Sequence, residues 1–318
     1  MSGTNIPAVT TRGLTKKFGT HPAITDVTLT LGSGTIHALI GPSGSGKTTL
    51  LNLVAGLAQP SSGSVHLFGV DHGVRPGLDQ RRRIGALIGD HPIMDHLTAV
   101  ENLTYHRTLR GLAQRGLEDR LLNQVGLADH GTGGTAQRRK MRNCSPSIRQ
   151  RVALATAWMG APQLVLLDDP LAALDAPEAD RVKGVMTTLA QEHGTAVVIA
   201  DRDIGPWRNA ATQFILLADG EVQDVLNSVD LLRTTGRFLR IVSEQTPAVV
   251  RVLQEELDLT DHAILPDDAV RVRLGDLQSS VVLKTLAAHD LWPSSFTEES
   301  IPWTSSSPTT HHTPGRQA

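Results

Sequence analysis

The stretch GPSGSGKTT, which begins at Gly41, carries residue types that can bind a triphosphate. It fits the P-loop pattern G-x-x-x-x-G-K-[ST] and lies between the apolar run IHALI and the helical pattern TTLLNLVAGL, as that pattern requires. Its glycines let backbone N–H groups turn toward phosphate oxygens, Lys47 neutralises the β- and γ-phosphates, and Thr48 binds Mg²⁺. The alternative is a Gly/Ser-rich turn that matches by chance. The predicted nucleotide-binding residues are Gly41, Pro42, Ser43, Gly44, Ser45, Gly46, Lys47, Thr48 and Thr49.

A carboxylate that suits the same metal follows the apolar run LVLLD, where Asp168 opens the sequence DDP. A P-loop needs such a carboxylate on a neighbouring strand, so Asp168 is predicted to bind Mg²⁺ together with Thr48. The alternative for Asp168 is the N-cap of a helix, because Asp and Pro are common there.

The predicted elements that must position these residues alternate between strands and helices, as in an α/β fold. Short apolar runs such as TIHALIG, SVHLFG, RIGALIG, QLVLLDD, TAVVIA and FILLADGEV predict a largely parallel sheet. Between Pro92 and Gly160 the patterns are helical, which predicts a helical subdomain at about residues 92–160. We expect an α/β P-loop domain at residues 6–225, a small α+β domain at 237–293 with strand, helix, hairpin and helix, and a disordered Ser/Thr/Pro-rich tail at 294–318.

Composition excludes several classes of protein. The chain has 318 residues, of which 40% are hydrophobic, and 30 Lys and Arg nearly balance 32 Asp and Glu. Near-neutral charge gives no general attraction to nucleic acid, and one cysteine forms no internal disulfide. The N-terminal sequence lacks the layout of a secretion signal, and the apolar runs are shorter than a membrane-spanning helix. We expect a cytoplasmic protein that contacts a membrane only through another chain.

The order of GPSGSGKTT, a helical insertion, SPSIRQRVALA, LVLLDDPLAALD and ADRD resembles the ATP-binding subunit of an ABC transporter over about residues 6–225. The stretches RIGALIGDHPIMDHLTAVENL and GLADH, with the α+β appendage, resemble the bacitracin and daunorubicin type of bacterial exporter. The resemblance implies ATP and Mg²⁺ as ligands and a separate integral membrane permease, docked near residues 92–97, on the inner face of the membrane. It also implies a homodimer or heterodimer that encloses each ATP between the P-loop of one chain and the signature of the other. The signature is the family's second nucleotide-contacting sequence, whose place is taken here by SPSIRQR.

Further residues take roles through this resemblance. Phe18 lies where the family places an aromatic ring that stacks on adenine, and its alternative is a core residue on an edge strand. Asp175 matches a residue that crosses the dimer interface, and its alternative is the N-cap of the next helix, with Pro177 early in that helix. Ser145 matches the serine of the signature, which contacts nucleotide across the dimer.

Two of the matched positions, which the resemblance makes catalytic, carry unusual residues. Asp169 stands where a glutamate usually polarises the attacking water, and a carboxylate displaced by roughly 1 Å can cost roughly 10²-fold in rate. Arg202 stands where the family has a switch histidine, and it keeps its proton. The alternative for Arg202 is a surface arginine paired with Asp201 or Asp203.

Two loops differ as well. Gly89 takes the place of a glutamine that reaches Mg²⁺ and water, and Asp90 or His91 either replaces it or belongs to a solvated turn. The sequence CSPSIRQR replaces the signature commonly written L-S-G-G-Q. Ser145 can cap the following helix with Pro146 in its first position, but Pro146 has no N–H and Ser147 adds a Cβ. Losing one such donor costs about 10² to 10³ in rate.

These differences spare nucleotide binding and impair a step that follows dimer closure. Neither a pair of identical chains nor a pair with an intact relative gives two fully equipped sites, so we predict Mg·ATP binding with weak or absent hydrolysis. The alternative function is a nucleotide-sensing regulatory or scaffold protein that does not drive transport.

Two further features near the signature are predicted to be structural. The basic run Arg138, Arg139, Lys140 and Arg142 is predicted to be a solvated loop rather than a contact with a partner or a phosphate. Cys144 is predicted to be a small buried side chain rather than a reactive thiol.

Overall fold

The computed structural model describes residues 6–73, 76–89, 92–114, 116–127, 139–228, 237–260, 262–265, 267–274 and 277–300. Contacts divide the chain into two compact units, Met1–Ser228 and Val229–Ala318. Asp90, His91 and Arg138, which carry expectations from the sequence, lie outside the described residues.

The central sheet of the first unit has the order β10-β9-β3-β8-β7-β6. Strands β3, β6, β7, β8 and β9 run parallel, and β10 joins β9 through an antiparallel hairpin. Because the parallel strands are covered on both faces, they consist almost wholly of buried apolar residues. The strands are β3 Ile36–Ile40, β6 Ile84–Leu87, β7 Leu164–Asp168, β8 Ala196–Asp201, β9 Gln213–Ala218 and β10 Glu221–Asn227.

A second, antiparallel sheet has the order β2-β1-β4-β5. The run SVHLFG, which we assigned to the parallel sheet, belongs here instead, because β4 pairs antiparallel with β1. Apolar residues of both sheets and of helix α1 (Lys47–Val54) form one core that includes Leu14, Leu51 and Leu166. This packing fixes the start of α1. The strands are β1 Val9–Phe18, β2 His21–Leu31, β4 Ser62–Leu67 and β5 Val70–Asp71.

Two of the helices in this unit begin at capping boxes formed by side chains. The helix α3 starts at Thr98 with a capping box that Glu101 completes, and a second capping box joins Asp175 and Glu178 at the start of α6. The helix α4 buries three leucines, and α5 is buried along most of its length. The remaining helices of this unit are α2 Leu78–Arg82, α3 Ala99–Leu109, α4 Leu117–Gln124, α5 Pro146–Ala157 and α6 Ala176–His193.

The second unit follows the path β-α-β-β-α-β with the sheet order β12-β13-β11-β14, which is a ferredoxin-like arrangement. Its core lies between one face of the sheet and the two helices. The expectation of a disordered tail from Ser294 is wrong for Ser295–Ser300, which form the edge strand β14 and pair with β11. The elements are β11 Arg237–Val242, α7 Thr246–Leu257, β12 His262–Ile264, β13 Val270–Arg273, α8 Ser279–Ala288 and β14 Ser295–Ser300.

Candidate functional site

The P-loop lies between the end of β3 and the start of α1, as its sequence context predicts. A Cβ at Gly41 would collide with the Leu217 carbonyl, and one at Gly46 would collide with the Ala23 carbonyl. Gly46 also has φ 99° at the N-cap of α1, a conformation that other residues rarely adopt. The loop can therefore pack against β9 and β2 only because glycine occupies these positions.

Lys47, the first residue of α1, lies across the loop that precedes it. Its Nζ donates hydrogen bonds to the carbonyl oxygens of Gly41 at 2.6 Å and Pro42 at 2.8 Å, and it lies 3.4 Å from the Ser45 hydroxyl. Burial lowers the pKa of the Lys47 ammonium, and the nearby Asp168 carboxylate acts in the opposite direction. The chain thus keeps one buried cation beside the helix N-terminus, where phosphate binds in P-loop proteins.

Thr48 and Asp168 meet across the cleft, although they are far apart in sequence. The Thr48 hydroxyl donates to Asp168 Oδ2 at 2.6 Å. Asp168 is the last residue of β7 and caps no helix, so the N-cap alternative is wrong. Two hard oxygen donors at this distance fit Mg²⁺, which usually takes one or two protein ligands and completes its shell with water and phosphate oxygens.

The P-loop opens onto a cleft of about 480 Å³ that brings together most of the predicted residues. The predicted residues that line it are Ser43, Gly44, Gly46, Lys47, Thr48, Thr49, Asp168, Asp169 and Arg202. Gly41, Pro42 and Ser45 lie behind this lining and contact Lys47. Phe18 and Ser145 do not line the cleft within this chain. Sequence reasoning assigned no role at the site to six other residues that line the cleft, which are Ala23, Leu87, Gln150, Ala172, Ala200 and Asp201.

Phe18 lies at the end of β1, and 57% of its surface is exposed. The core alternative is therefore wrong. The Nζ of Lys16 lies 4.9 Å from the centre of the Phe18 ring, which is within the range of a cation–π contact. The exposed ring can stack on a planar base.

Asp169 follows β7 in a left-handed conformation, with φ 47°. Its N–H donates to the Ala200 carbonyl at 2.9 Å, which fixes the turn. Burial is the main factor that raises the pKa of its carboxyl, and the Asp201 and Asp168 carboxylates add to it, while Arg202 and Lys47 oppose it. A carboxylate whose pKa is raised holds a proton more readily than a solvated one, as a general base requires.

Arg202 begins the loop after β8 and reaches the same cleft. Among the described residues it forms no ion pair with Asp201 or Asp203, so the surface-pair alternative is wrong there. Asp201 instead accepts the Trp207 indole N–H at 2.7 Å and the backbone N–H of Arg202 at 2.6 Å. Asp201 thereby shapes the loop that presents Arg202.

Gly89 also lines the cleft, and it offers no side chain to a metal or a water molecule. Its φ is 68°, and a Cβ built there would meet no atom within 4 Å. A larger residue at this position therefore has room, although its backbone would be strained.

The start of α5 confirms the predicted cap. The Ser145 hydroxyl accepts the Ile148 N–H at 3.3 Å, and Pro146 occupies the first helical position. Ser145 and Pro146 are exposed, whereas the Ser147 hydroxyl donates to the Glu178 carboxylate at 2.7 Å. The side chain that replaces a glycine is therefore bound to α6.

Two residues near the signature have structural contacts. Gln150 is buried on α5, and its amide donates to the carbonyls of Pro170 at 3.0 Å and Asp169 at 3.4 Å. Gln150 therefore supports the turn that carries Asp169. The only feature of the sequence that pointed to Gln150 is its place within SPSIRQR. Asp175 accepts the Glu178 N–H at 2.9 Å, which confirms the N-cap interpretation.

The residues around the signature also bear on two smaller expectations. Cys144 is only half-buried, and burial raises the pKa of its thiol. Of the basic run, Arg139 and Arg142 are exposed, and Lys140 forms an ion pair with Glu101 at 3.0 Å. The described residues include no helix that is both long and apolar enough to cross a bilayer.

A P-loop between β3 and α1, with a carboxylate at the end of β7, defines a P-loop NTPase. The expectation that this carboxylate lies on a neighbouring strand is wrong, because β8 lies between β3 and β7 in the sheet. The family model described as ABC transporter matches residues 24–172. The spermidine/putrescine import ATP-binding protein PotA of Pseudomonas aeruginosa is 30% identical over 90% of this chain and 75% of its own length. The chain belongs to the ABC transporter ATP-binding family, and the predicted fold class is confirmed.

Other relatives cover similar parts of the chain. The uncharacterized ABC transporter ATP-binding protein YcbN of Bacillus subtilis is 25% identical over 89% of this chain and 90% of its own length. The sulfate/thiosulfate import ATP-binding protein CysA of Mycolicibacterium paratuberculosis is 33% identical over 88% of this chain and 76% of its own length. A dimeric post-hydrolysis structure of the ATP-binding cassette MJ0796, bound to ADP and Pi, has a TM-score of 0.62 and 28% identity, and the match covers 69% of this chain and 98% of that chain.

Proposed function

We propose that this ABC ATP-binding subunit binds Mg·ATP at its P-loop and hydrolyses it slowly or not at all. The observation that carries the proposal is the composition of one cleft. Lys47, Thr48 and Asp168 form a complete set of groups for binding, while Gly89, Asp169 and Arg202 offer poor groups for water activation.

The binding half of the cleft supports a triphosphate with its metal. Lys47 supplies the cation, the glycines at 41 and 46 let the loop pack against β9 and β2, and the adjacent Thr48 and Asp168 oxygens suit Mg²⁺. When bound, Mg²⁺ neutralises phosphate charge. The exposed ring of Phe18 supplies a surface on which adenine stacks.

The hydrolytic half supports slow turnover. Gly89 has no group to orient a water molecule, and the Asp169 carboxylate is one methylene shorter than glutamate. Arg202 provides a fixed positive charge that can bond a phosphate oxygen, but it does not take up a proton from water. Binding is therefore favoured over cleavage.

The signature supports a weakened contact across the dimer. Pro146 lacks an N–H, and the Ile148 N–H already donates to Ser145. In the first turn of α5, as far as the chain is described, the Ser147 N–H alone keeps no hydrogen-bond partner. A single free amide replaces the set of donors that a glycine-rich turn offers.

We further propose that two such subunits pair and dock on a separate integral membrane permease at the inner face of the membrane. The dimeric MJ0796 cassette supports pairing. The resemblance to bacitracin and daunorubicin exporters supports export, although PotA and CysA are named as import proteins. Reconstitution with a permease that co-purifies with this chain tests the direction, because an exporter moves substrate only to the side opposite the ATP-binding subunits.

Purified protein tests slow hydrolysis directly. Phosphate release is measured with Mg·ATP for the chain alone and for its complex with the permease. We expect turnover at least 10²-fold below the enzyme median of about 10 s⁻¹ in both samples. Turnover near 10 s⁻¹ in either sample would refute the proposal.

A further inference from the structure

We propose that Glu178 is a positioning residue that fixes the start of α5 to the start of α6, through the hydroxyl of Ser147. The exposed residues Ser145 and Asp175 are then held as one rigid surface. The consequence for dimerisation rests on the function proposed above, whereas the contact itself does not.

The Glu178 carboxylate contacts three residues from the starts of two helices. It accepts the Ser147 hydroxyl at 2.7 Å and the Arg151 Nη2 at 2.8 Å, both from α5. It also accepts the Asp175 N–H at 3.2 Å, within the capping box of α6. One carboxylate therefore determines the relative position of the two helix starts.

Arg151 extends this network to α4. Its Nη1 lies 3.3 Å from the carbonyl oxygens of Val125 and Gly126, just after the end of that helix. The side chain of Arg151 is 11% exposed and that of Glu178 is 21% exposed. Because water has little access, hydrogen bonds to these charged groups hold their geometry better than a surface ion pair does.

Ser147 is the member of this network that a glycine signature could not provide. A glycine at 147 has no hydroxyl, so Glu178 would keep only Arg151 and its own helix start as partners. The two exposed residues above the network are the signature serine and the residue that the resemblance places at the dimer interface, Ser145 and Asp175. A loss of the Ser147 contact lets them move independently.

The first test uses the native cysteine. Cys144 adjoins Ser145, and it is the single cysteine of the chain, so its rate of maleimide labelling reports on this segment alone. We expect Ser147→Ala to raise the labelling rate about tenfold, because a hydrogen bond to a charged group is lost. Ser147→Thr restores the hydroxyl and should restore slow labelling. Asp180→Asn is the matched control, since it removes an exposed carboxylate of α6 whose one ion pair among the described residues is with Lys183.

The second test measures Mg·ATP affinity and ATP-dependent dimerisation for the same variants, by titration calorimetry and sedimentation. We expect Ser147→Ala and Glu178→Gln to leave the nucleotide dissociation constant within about twofold and to raise the dimer dissociation constant about tenfold. Thermal unfolding verifies that each variant is folded. A loss confined to melting temperature would show a merely structural role and overturn the proposal.

The outcomes separate the two proposals. If Ser147→Ala labels and dimerises as the wild type does, the positioning role is wrong and the proposed function stands. If the wild type neither binds nor dimerises with Mg·ATP, the proposed function and the dimer consequence are wrong. Faster labelling in Ser147→Ala would in that case still establish the contact through Glu178.

Discussion

Replacing Asp169 with glutamate should repair part of the hydrolytic site. The substitution adds one methylene and carries the carboxylate about 1 Å or more further into the cleft that Asp169 already lines. Nothing in the binding half changes, because Lys47 and the Thr48–Asp168 pair keep their contacts.

The size of the effect follows from the displacement. A misplacement of about 1 Å can cost roughly 10²-fold in rate, so Asp169→Glu should raise turnover by up to about 10²-fold. The backbone opposes the change, because φ at 169 is 47° and Asp tolerates the left-handed region better than Glu does. We therefore expect a loss of stability of about 1 kcal/mol beside the gain in rate.

Phosphate release under saturating Mg·ATP is the assay, with Asp169→Asn as the matched control. Asparagine keeps the size of the side chain and tolerates the same backbone conformation, but it is no base. Because catalytic residues act as a unit, the pair is also compared in a background that carries Gly89→Gln, Arg202→His and Pro146→Gly, in which Ser147 keeps its contact with Glu178. Equal rates for the glutamate and asparagine variants in both backgrounds would refute the reasoning.

Four further outcomes are expected. Lys47→Ala removes the buried cation and should weaken Mg·ATP binding at least 10²-fold by calorimetry, with an unchanged circular dichroism spectrum. Wild-type protein should bind ATP more tightly in the presence of Mg²⁺ than in the presence of EDTA. Asp168→Asn should abolish most of this difference in ATP affinity, since it removes a metal ligand. Phe18→Ala should weaken ATP binding about 5- to 50-fold and triphosphate alone hardly at all. Because the folded pKa of Asp169 is raised, its charged form opposes folding, so Asp169→Asn should raise the melting temperature at pH values above that raised pKa and not below the ordinary Asp pKa of about 3.9. An unchanged or lower melting temperature at pH 7 would contradict that sign.

The binding half could be predicted from the sequence because its groups follow local rules. The P-loop and its flanking strand and helix are contiguous in the chain, and Asp168 ends an apolar run. The same holds for the caps at Ser145 and Asp175, which need only a few neighbouring residues.

What the sequence missed depends on pairing over long distances. The run SVHLFG has the composition of any buried strand, and only its partner β1 decides that it lies in the antiparallel sheet. The edge strand β14 is mostly polar, so its sequence has no apolar periodicity that would predict a strand. Its pairing with β11 makes it one. The contact of Ser147 with Glu178 joins two helices that are separate in sequence, and neither residue type predicts that contact.

The chemical identity of protein-bound nucleotide tests the central claim most directly. The purified chain is mixed with Mg·ATP labelled at the α-phosphate, which stays on both ATP and ADP, and the protein-bound nucleotide is separated and identified over time. We predict that nucleotide is bound and is recovered as ATP after many seconds. Recovery of ADP within about one second, as turnover of about 10 s⁻¹ requires, or the absence of bound nucleotide, would contradict the account.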